Sequence, residues 1–329
     1  MKIAVSSIRF GDGTQMTTLL AALALAMPTP ALQNGQSAAI ALDDQAMLAA
    51  GLRLTTISLP EGNVVIYLPA RLAAGDRISG SIFVNPTGDT NALRSKNDEI
   101  LRSQLIEVNG VAMPVTATQF TTMVSPSGNL TFVVHSADGA NSAKASVDVS
   151  SAPTATQLVD ACPVVEMGQP LRIVGNFDGN RDTTEVSVDG REVGILAESP
   201  RECVIAPEAN LGAHKLSVRD GMLALDRTVN LVSVSVKTPE SAVLGRKTKF
   251  ELIVDGLENA DSSAFPLSLV ISSTTPKLLS FGEEAKVSIN PADIRDGQWK
   301  GTLEFKPLKR GTYSLRARLA CDAFLSTIR

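Results

Sequence analysis

Thr184 to Gly190 reads TEVSVDG, and His214 to Gly221 reads HKLSVRDG. In the first run Val186 and Val188 alternate with Glu185, Ser187 and Asp189. In the second, Leu216 and Val218 alternate with Lys215, Ser217 and Arg219. A strand turns successive side chains to opposite faces, so each run predicts a strand with one apolar and one wet face. Asp-Gly closes both, and that dipeptide accepts the positive φ of a tight hairpin. The same alternation returns in Phe250/Leu252/Val254, Gly301/Leu303/Phe305 and Tyr313/Leu315/Ala317/Leu319, and Asn109-Gly110, Asp138-Gly139, Asp255-Gly256 and Asp296-Gly297 supply further turns. From about Leu52 onward the chain reads as short strands between turns, the pattern of all-β sandwiches.

An internal repeat refines this. Leu105 to Gly110 (LIEVNG) and Leu130 to Gly139 (LTFVVHSADG) match the two decisive runs, with Gly110 and Gly190 80 residues apart and Gly139 and Gly221 82 apart. Upstream, Gly75 to Gly80 (GDRISG) matches Gly168 to Gly175 (GQPLRIVG). The first copy is longer between its landmarks, and the extra residues fall between Pro86 and Ser103, as a short helix with an apolar edge or as a loop.

Residues 155–235 resemble an IPT/TIG domain, the immunoglobulin-like module of plexins, Rel-type factors and many bacterial surface and carbohydrate-active proteins. The residues that carry the resemblance are Pro163, Gly168 with Leu171 and Ile173, and Gly175-Asn176-Phe177. They continue with Val186 and Val188 before Asp189-Gly190, Ile205-Ala206-Pro207, Gly212, and Leu216 with Val218. Residues 55–150 share it more weakly. The resemblance implies tandem immunoglobulin-like β-sandwiches serving as a scaffold or interaction module, and it specifies no chemistry. The expected division is 32–150 with the insertion at 86–103, 151–235, and a third sandwich at 236–329. Val147 to Thr156 (VDVSSAPTAT) reads as a linker. Val232 to Pro239 (VSVSVKTP) reads as a strand running directly into the third unit, which predicts a stiffer joint there than between the first two.

Residues 1–31 read as an export signal. Lys2 and Arg9 precede the apolar run Thr17 to Met27, and Thr29 and Ala31 stand at signal-peptidase spacing. Translation from Met16 would remove both positive charges. The run is too short to span a bilayer, and no later segment is long and apolar enough to do so. The expected location is secreted, periplasmic or cell-surface.

Composition excludes several functions. The 329 residues carry 30 Lys+Arg against 34 Asp+Glu, a net charge of −4, which argues against a nucleic-acid partner. Aromatics make up 4%, too few for broad stacking platforms, so polysaccharide is a weaker candidate partner than protein or another cell-envelope component. There is no G-x-S-x-G elbow, phosphate loop or H-E-x-x-H helix. The two histidines fall in different units: His135 matches Ser217 on a wet face, and His214 begins a strand. The expectation is a non-enzymatic scaffold or adhesion module, with an accessory carbohydrate-binding component of a secreted hydrolase system as the alternative.

Three places remain for specific chemistry. Asp178, Asn180 and Asp182 set oxygen donors at alternate positions, as in loops that wrap Ca²⁺, although Thr183 and Asp189 stand where such a loop wants Gly and Glu; a plain polar turn is the other reading. No other cofactor is implied. Cys162 and Cys203 fall in one unit and are either a disulfide or two buried thiols; Cys321 continues an apolar strand face. Arg94, Lys96, Asp98, Glu99 and Arg102 surround Leu93, Ile100 and Leu101 in the insertion, a candidate partner-contacting element. Trp299 reads as core or junction packing.

Overall fold

The computed structural model describes residues 47–48, 50–114, 118–149, 160–221, 223–239, 242–260, 264–273, 279–280, 284–309, 315–321 and 324. The export signal read at residues 1–31 and most of the linker read at 147–156 lie outside them.

The chain is all-β, in tandem immunoglobulin-like sandwiches. The first holds β1 (Leu52–Leu59), β2 (Gly62–Pro69), β3 (Arg77–Pro86), helix α1 (Asn91–Arg102), β4 (Leu105–Val108), β5 (Val111–Pro114), β6 (Gln119–Met123), β7 (Asn129–His135) and β8 (Ser142–Asp148). The second holds β9 (Asp160–Ala161), β10 (Val164–Glu166), β11 (Leu171–Val174), β12 (Thr184–Val188), β13 (Arg191–Glu192), β14 (Ile195–Ser199), β15 (Glu202–Ile205), β16 (Gly212–Asp220) and β17 (Leu223–Lys237). Beyond it lie β18 (Thr248–Asp255), β19 (Leu267–Ser273), β20 (Glu284–Ile289), β21 (Gln298–Phe305) and β22 (Leu315–Cys321).

In the second sandwich β9-β11-β15-β14 faces β10-β17-β16-β12-β13, with β10 parallel to β17. Relabelled in chain order this is A-B-E-D against A′-G-F-C-C′, the immunoglobulin arrangement. Two of the hairpins read from sequence are two-residue turns, Val108 opposite Val111 and Val188 opposite Arg191, whereas at Asp220-Gly221 the strand runs on, with Asp220 paired to Leu223 and only Gly221 of that dipeptide at positive φ (53°). Both central residues of each of the first two turns have positive φ (Asn109 50°, Gly110 79°, Asp189 52°, Gly190 75°), which matches the strand twist. Alternation decides what is buried: Val186, Val188, Leu216 and Val218 join one apolar core with Leu171, Ile173 and Val229. Ile66, Ile78, Phe120, Phe132 and Leu101 form the core of the first sandwich, and Phe250, Leu269, Trp299 and Phe305 that of the third. Trp299 lies over Gly301, where a Cβ would collide with its ring.

The insertion is helical. Thr90 caps α1, its hydroxyl accepting from the Leu93 amide at 3.2 Å, and Leu101 is fully buried against the first core.

Both junctions are made by strands. β17 pairs with β16 through Leu231 and with β18 from Ser233, so one strand belongs to two sandwiches, as Val232 to Pro239 predicted. The first junction departs from the expected loose joint. β14 pairs with β3 at Glu198 opposite Ser79, which makes one eight-stranded sheet out of strands from the first two sandwiches. The Ser81 hydroxyl donates to the Leu196 carbonyl at 2.7 Å, and Met47, Leu52 and Tyr67 pack on Leu196, Ala197 and Val204. Glu202, fully buried, accepts from the Arg71 amide (2.6 Å), from Arg172 Nε (2.8 Å) and from Arg172 Nη2 (2.6 Å), while Arg201 pairs with Asp76 across the seam. Composition along residues 147–156 carries no trace of these contacts, because their partners come from elsewhere in the chain.

Candidate functional site

Thr184 opens β12 and Asp220 ends β16, and the two are cross-strand partners. They therefore stand on the same, inward face of one sheet. Glu198 on β14 belongs to the opposite sheet, and Asp178 sits in the loop between β11 and β12. Asp178, Glu198 and Asp220 each bring a carboxylate oxygen within 4.8 Å of the others. Glu198 is 0% exposed, and neither of its carboxylate oxygens has a hydrogen-bond partner. The Thr184 hydroxyl is turned to that carboxylate but outside hydrogen-bonding geometry; Thr184 is 7% exposed and its oxygen also has no partner.

The loop is held against the first sandwich. Gly179 has φ 75° and lies so close to the Arg77 carbonyl on β3 that a Cβ has no room. The Ser79 hydroxyl donates to the Gly179 carbonyl (3.1 Å) and accepts from the Arg181 amide (3.2 Å). Asp178 accepts from the Asn180 amide at 2.6 Å and the Thr183 hydroxyl at 2.7 Å, while its own amide donates to Asp220 at 2.9 Å. Burial pushes the Glu198 carboxyl up to about 7, with the Asp220 and Asp178 charges adding to the rise. Burial also raises Asp220, against the Asp178 amide. Arg181 is lowered by burial; Glu198 and Asp182 pull the other way, and its Nη1 has no partner.

The calcium loop read from sequence therefore reaches the site through one of its three residues. Asp178 is in the cluster, Asn180 lies beside it with a buried Oδ1 that has no partner, and Asp182 is exposed and outside the group. Glu198 and Asp220 were not read as site residues. Asp220 reads as turn chemistry before Gly221, and Glu198 falls in no motif. The available signal was that Glu198 sits in ILAES (195–199), a run too apolar to have a wet side.

All three cysteines are free thiols. Cys162 and Cys203 do not pair: β11 lies between β9 and β15, and Cys162 bonds to Arg172 on β11 while Cys203 is opposite Ile173. Two strand spacings are roughly 9.6 Å, beyond the roughly 7 Å limit between Cα atoms of a disulfide. The Cys162 thiol instead meets that of Cys321, and this contact, followed by burial, raises it well above the ordinary thiol range. On α1, Arg94, Lys96 and Glu99 are exposed, and Asp98 is bound to Arg102 at 3.0 Å, both half-buried. The histidines stand apart, His135 3.2 Å from Glu107 and His214 2.6 Å from Asp189. No helix among the described residues is long and apolar enough to cross a membrane.

No protein-family model matches the chain, and no curated protein matches it. Among solved structures it is similar to SGBP-B of the Bacteroides ovatus mixed-linkage glucan utilization locus, solved with a mixed-linkage heptasaccharide (TM-score 0.26, 11% identity, 76% of this chain and 74% of that one). It is also similar to the plexin A4 extracellular region (0.25, 13%, 79% and 21%) and to SGBP-B from a xyloglucan utilization locus in Bacteroides uniformis (0.22, 9%, 82% and 98%). No ligand or role passes to this chain from likenesses of that size.

Proposed function

We propose that the protein is a non-enzymatic, exported interaction module, a stiff stack of sandwiches that holds a contact surface at a fixed place in the cell envelope or outside the cell. The observation that carries this reading is the pair of strand-level junctions. A shared strand and a sheet that continues across a seam bridged by the Asp76–Arg201 ion pair restrict the hinge motion expected of domains joined by linkers alone. The contact surface is α1, fixed to the core by Leu101 and offering Leu93, Arg94, Lys96 and Glu99 outward. Its partner is a protein or another envelope component. Among the described residues no aromatic ring is exposed, which gives the polysaccharide alternative no platform.

A photo-crosslinking residue placed at Lys96 in cells tests it. The reading expects one discrete adduct from that position and none from Lys300 on β21; no adduct, or the same adducts from both, contradicts it. Mass spectrometry of the N-terminus tests export, with Leu32 expected as the first residue.

A further inference from the structure

We propose that Asp178, Glu198 and Asp220, together with the Thr184 hydroxyl, bind one calcium ion at the end of the second sandwich that abuts the first. The inference stands apart from the partner reading.

The donors are all oxygens, which suits a hard cation and not zinc or copper. Calcium holds its ligands at about 2.3–2.6 Å, so oxygens across the ion are separated by at most roughly 5.2 Å. The three carboxylate oxygens lie within 4.8 Å of one another and so fit around a single ion. A fully buried carboxylate whose two oxygens lack any donor is costly unless a proton or a cation meets it. A second feature points the same way: the buried Thr184 hydroxyl, also without a partner, is aimed at the same carboxylate. Asn180 adds a partnerless buried oxygen on the loop. Asp178 is exposed, which leaves one side of the ion open to water. Calcium tolerates such an irregular, partly hydrated shell better than magnesium, which demands near-ideal octahedral geometry. Arg181 is the competing cation. It makes no ion pair with Glu198 and attracts it only at longer range.

The ion would tie together three parts of the fold: both sheets of the second sandwich, and the loop that Ser79 of β3 holds. Binding would therefore stiffen the first junction.

The test is a calcium titration of the full chain, stripped with chelator at pH 8, followed by calorimetry and by thermal melting, with magnesium in parallel. One ion per chain and a rise in Tm with calcium are expected, with weaker binding of magnesium. D178N and D220N should weaken calcium binding by about tenfold or more, as the ligand charge falls. E198Q should abolish it while melting no lower than the parent in chelator, because it removes an unpartnered buried charge; loss of binding then cannot be blamed on unfolding. D182N should bind as the parent does, and R181Q more tightly. Absence of both heat and melting shift up to about 10 mM calcium, above the range of extracellular calcium modules, would overturn the proposal. So would E198Q binding as the parent does, or D182N losing as much as D178N.

Discussion

Glu202→Ala is the sharpest probe of the first junction. The wild-type carboxylate is fully buried and takes three hydrogen bonds, two from Arg172, whose side chain is 8% exposed, and one from the Arg71 amide on the other side of the seam. Truncation leaves the Arg172 charge facing a cavity. Removing one partner of a buried ion pair costs about 3–5 kcal/mol, because the remaining charge keeps its desolvation penalty. Domains of this size lose about 2–4 °C of Tm per kcal/mol, so a fall on the order of 10 °C is expected. Denaturant unfolding and calorimetry measure it. The first two sandwiches share a sheet, so in the parent protein they should unfold in one transition, which E202A should split or broaden. The double variant R172M/E202L replaces the pair by apolar groups of similar length and should recover most of the loss. An E202A protein within about 1 kcal/mol of the parent, with an unchanged transition, would refute the argument that buried Glu202, bonded to the Arg71 amide of the first sandwich, helps hold the seam.

Three further outcomes follow from particular residues. Cys162 and Cys203, whose thiols are held well above the ordinary range, should resist a small-molecule disulfide in the folded chain and react only on unfolding; mixed disulfides on either in the native protein, found by non-reducing mass spectrometry, would contradict this. Burial raises Glu166 to about 7, with the Leu319 amide opposing, so the folded state keeps a proton there that the unfolded chain sheds near 4.5. Glu166 should therefore contribute a fall in stability of about 3 kcal/mol as pH rises from about 4.5 to 7, levelling off above; Glu198 adds a fall of its own over the same range, so E166Q should reduce the slope without abolishing it, as denaturation at stepped pH would show. Leu101→Ala should cost about 2–5 kcal/mol by opening the core under α1, whereas K96A, on the exposed side of the same helix, should leave the denaturation midpoint unchanged.

What the sequence made legible depended on distance along the chain. The runs at 105–110, 184–190 and 214–221, with their Asn-Gly and Asp-Gly ends, the extra length that became α1, and the strand crossing into the third sandwich are all local patterns. Each follows from period-two burial or from positive φ at a turn. The first junction is a different kind of object. Asp76 with Arg201, and Glu202 with Arg71, are more than a hundred residues apart, and their charges look like solvent-facing positions until tertiary packing buries them. The cation cluster shows both cases at once. Asp178 was readable because loop donors announce themselves by spacing. Thr184, Glu198 and Asp220 come together only because two sheets face each other. Cys162 likewise meets Cys321 through the packing of β22, which linear proximity to Cys203 conceals.

Spin labels at positions 96 and 300, one on α1 and one on β21, give the most direct measure of whether the sandwiches form one stiff body. Double electron–electron resonance on the full chain should return a single narrow distance distribution, unchanged by viscosity or by truncation of residues 1–31. A broad or multimodal distribution would mean that the junctions flex, and that the protein does not hold its contact surface in a fixed place.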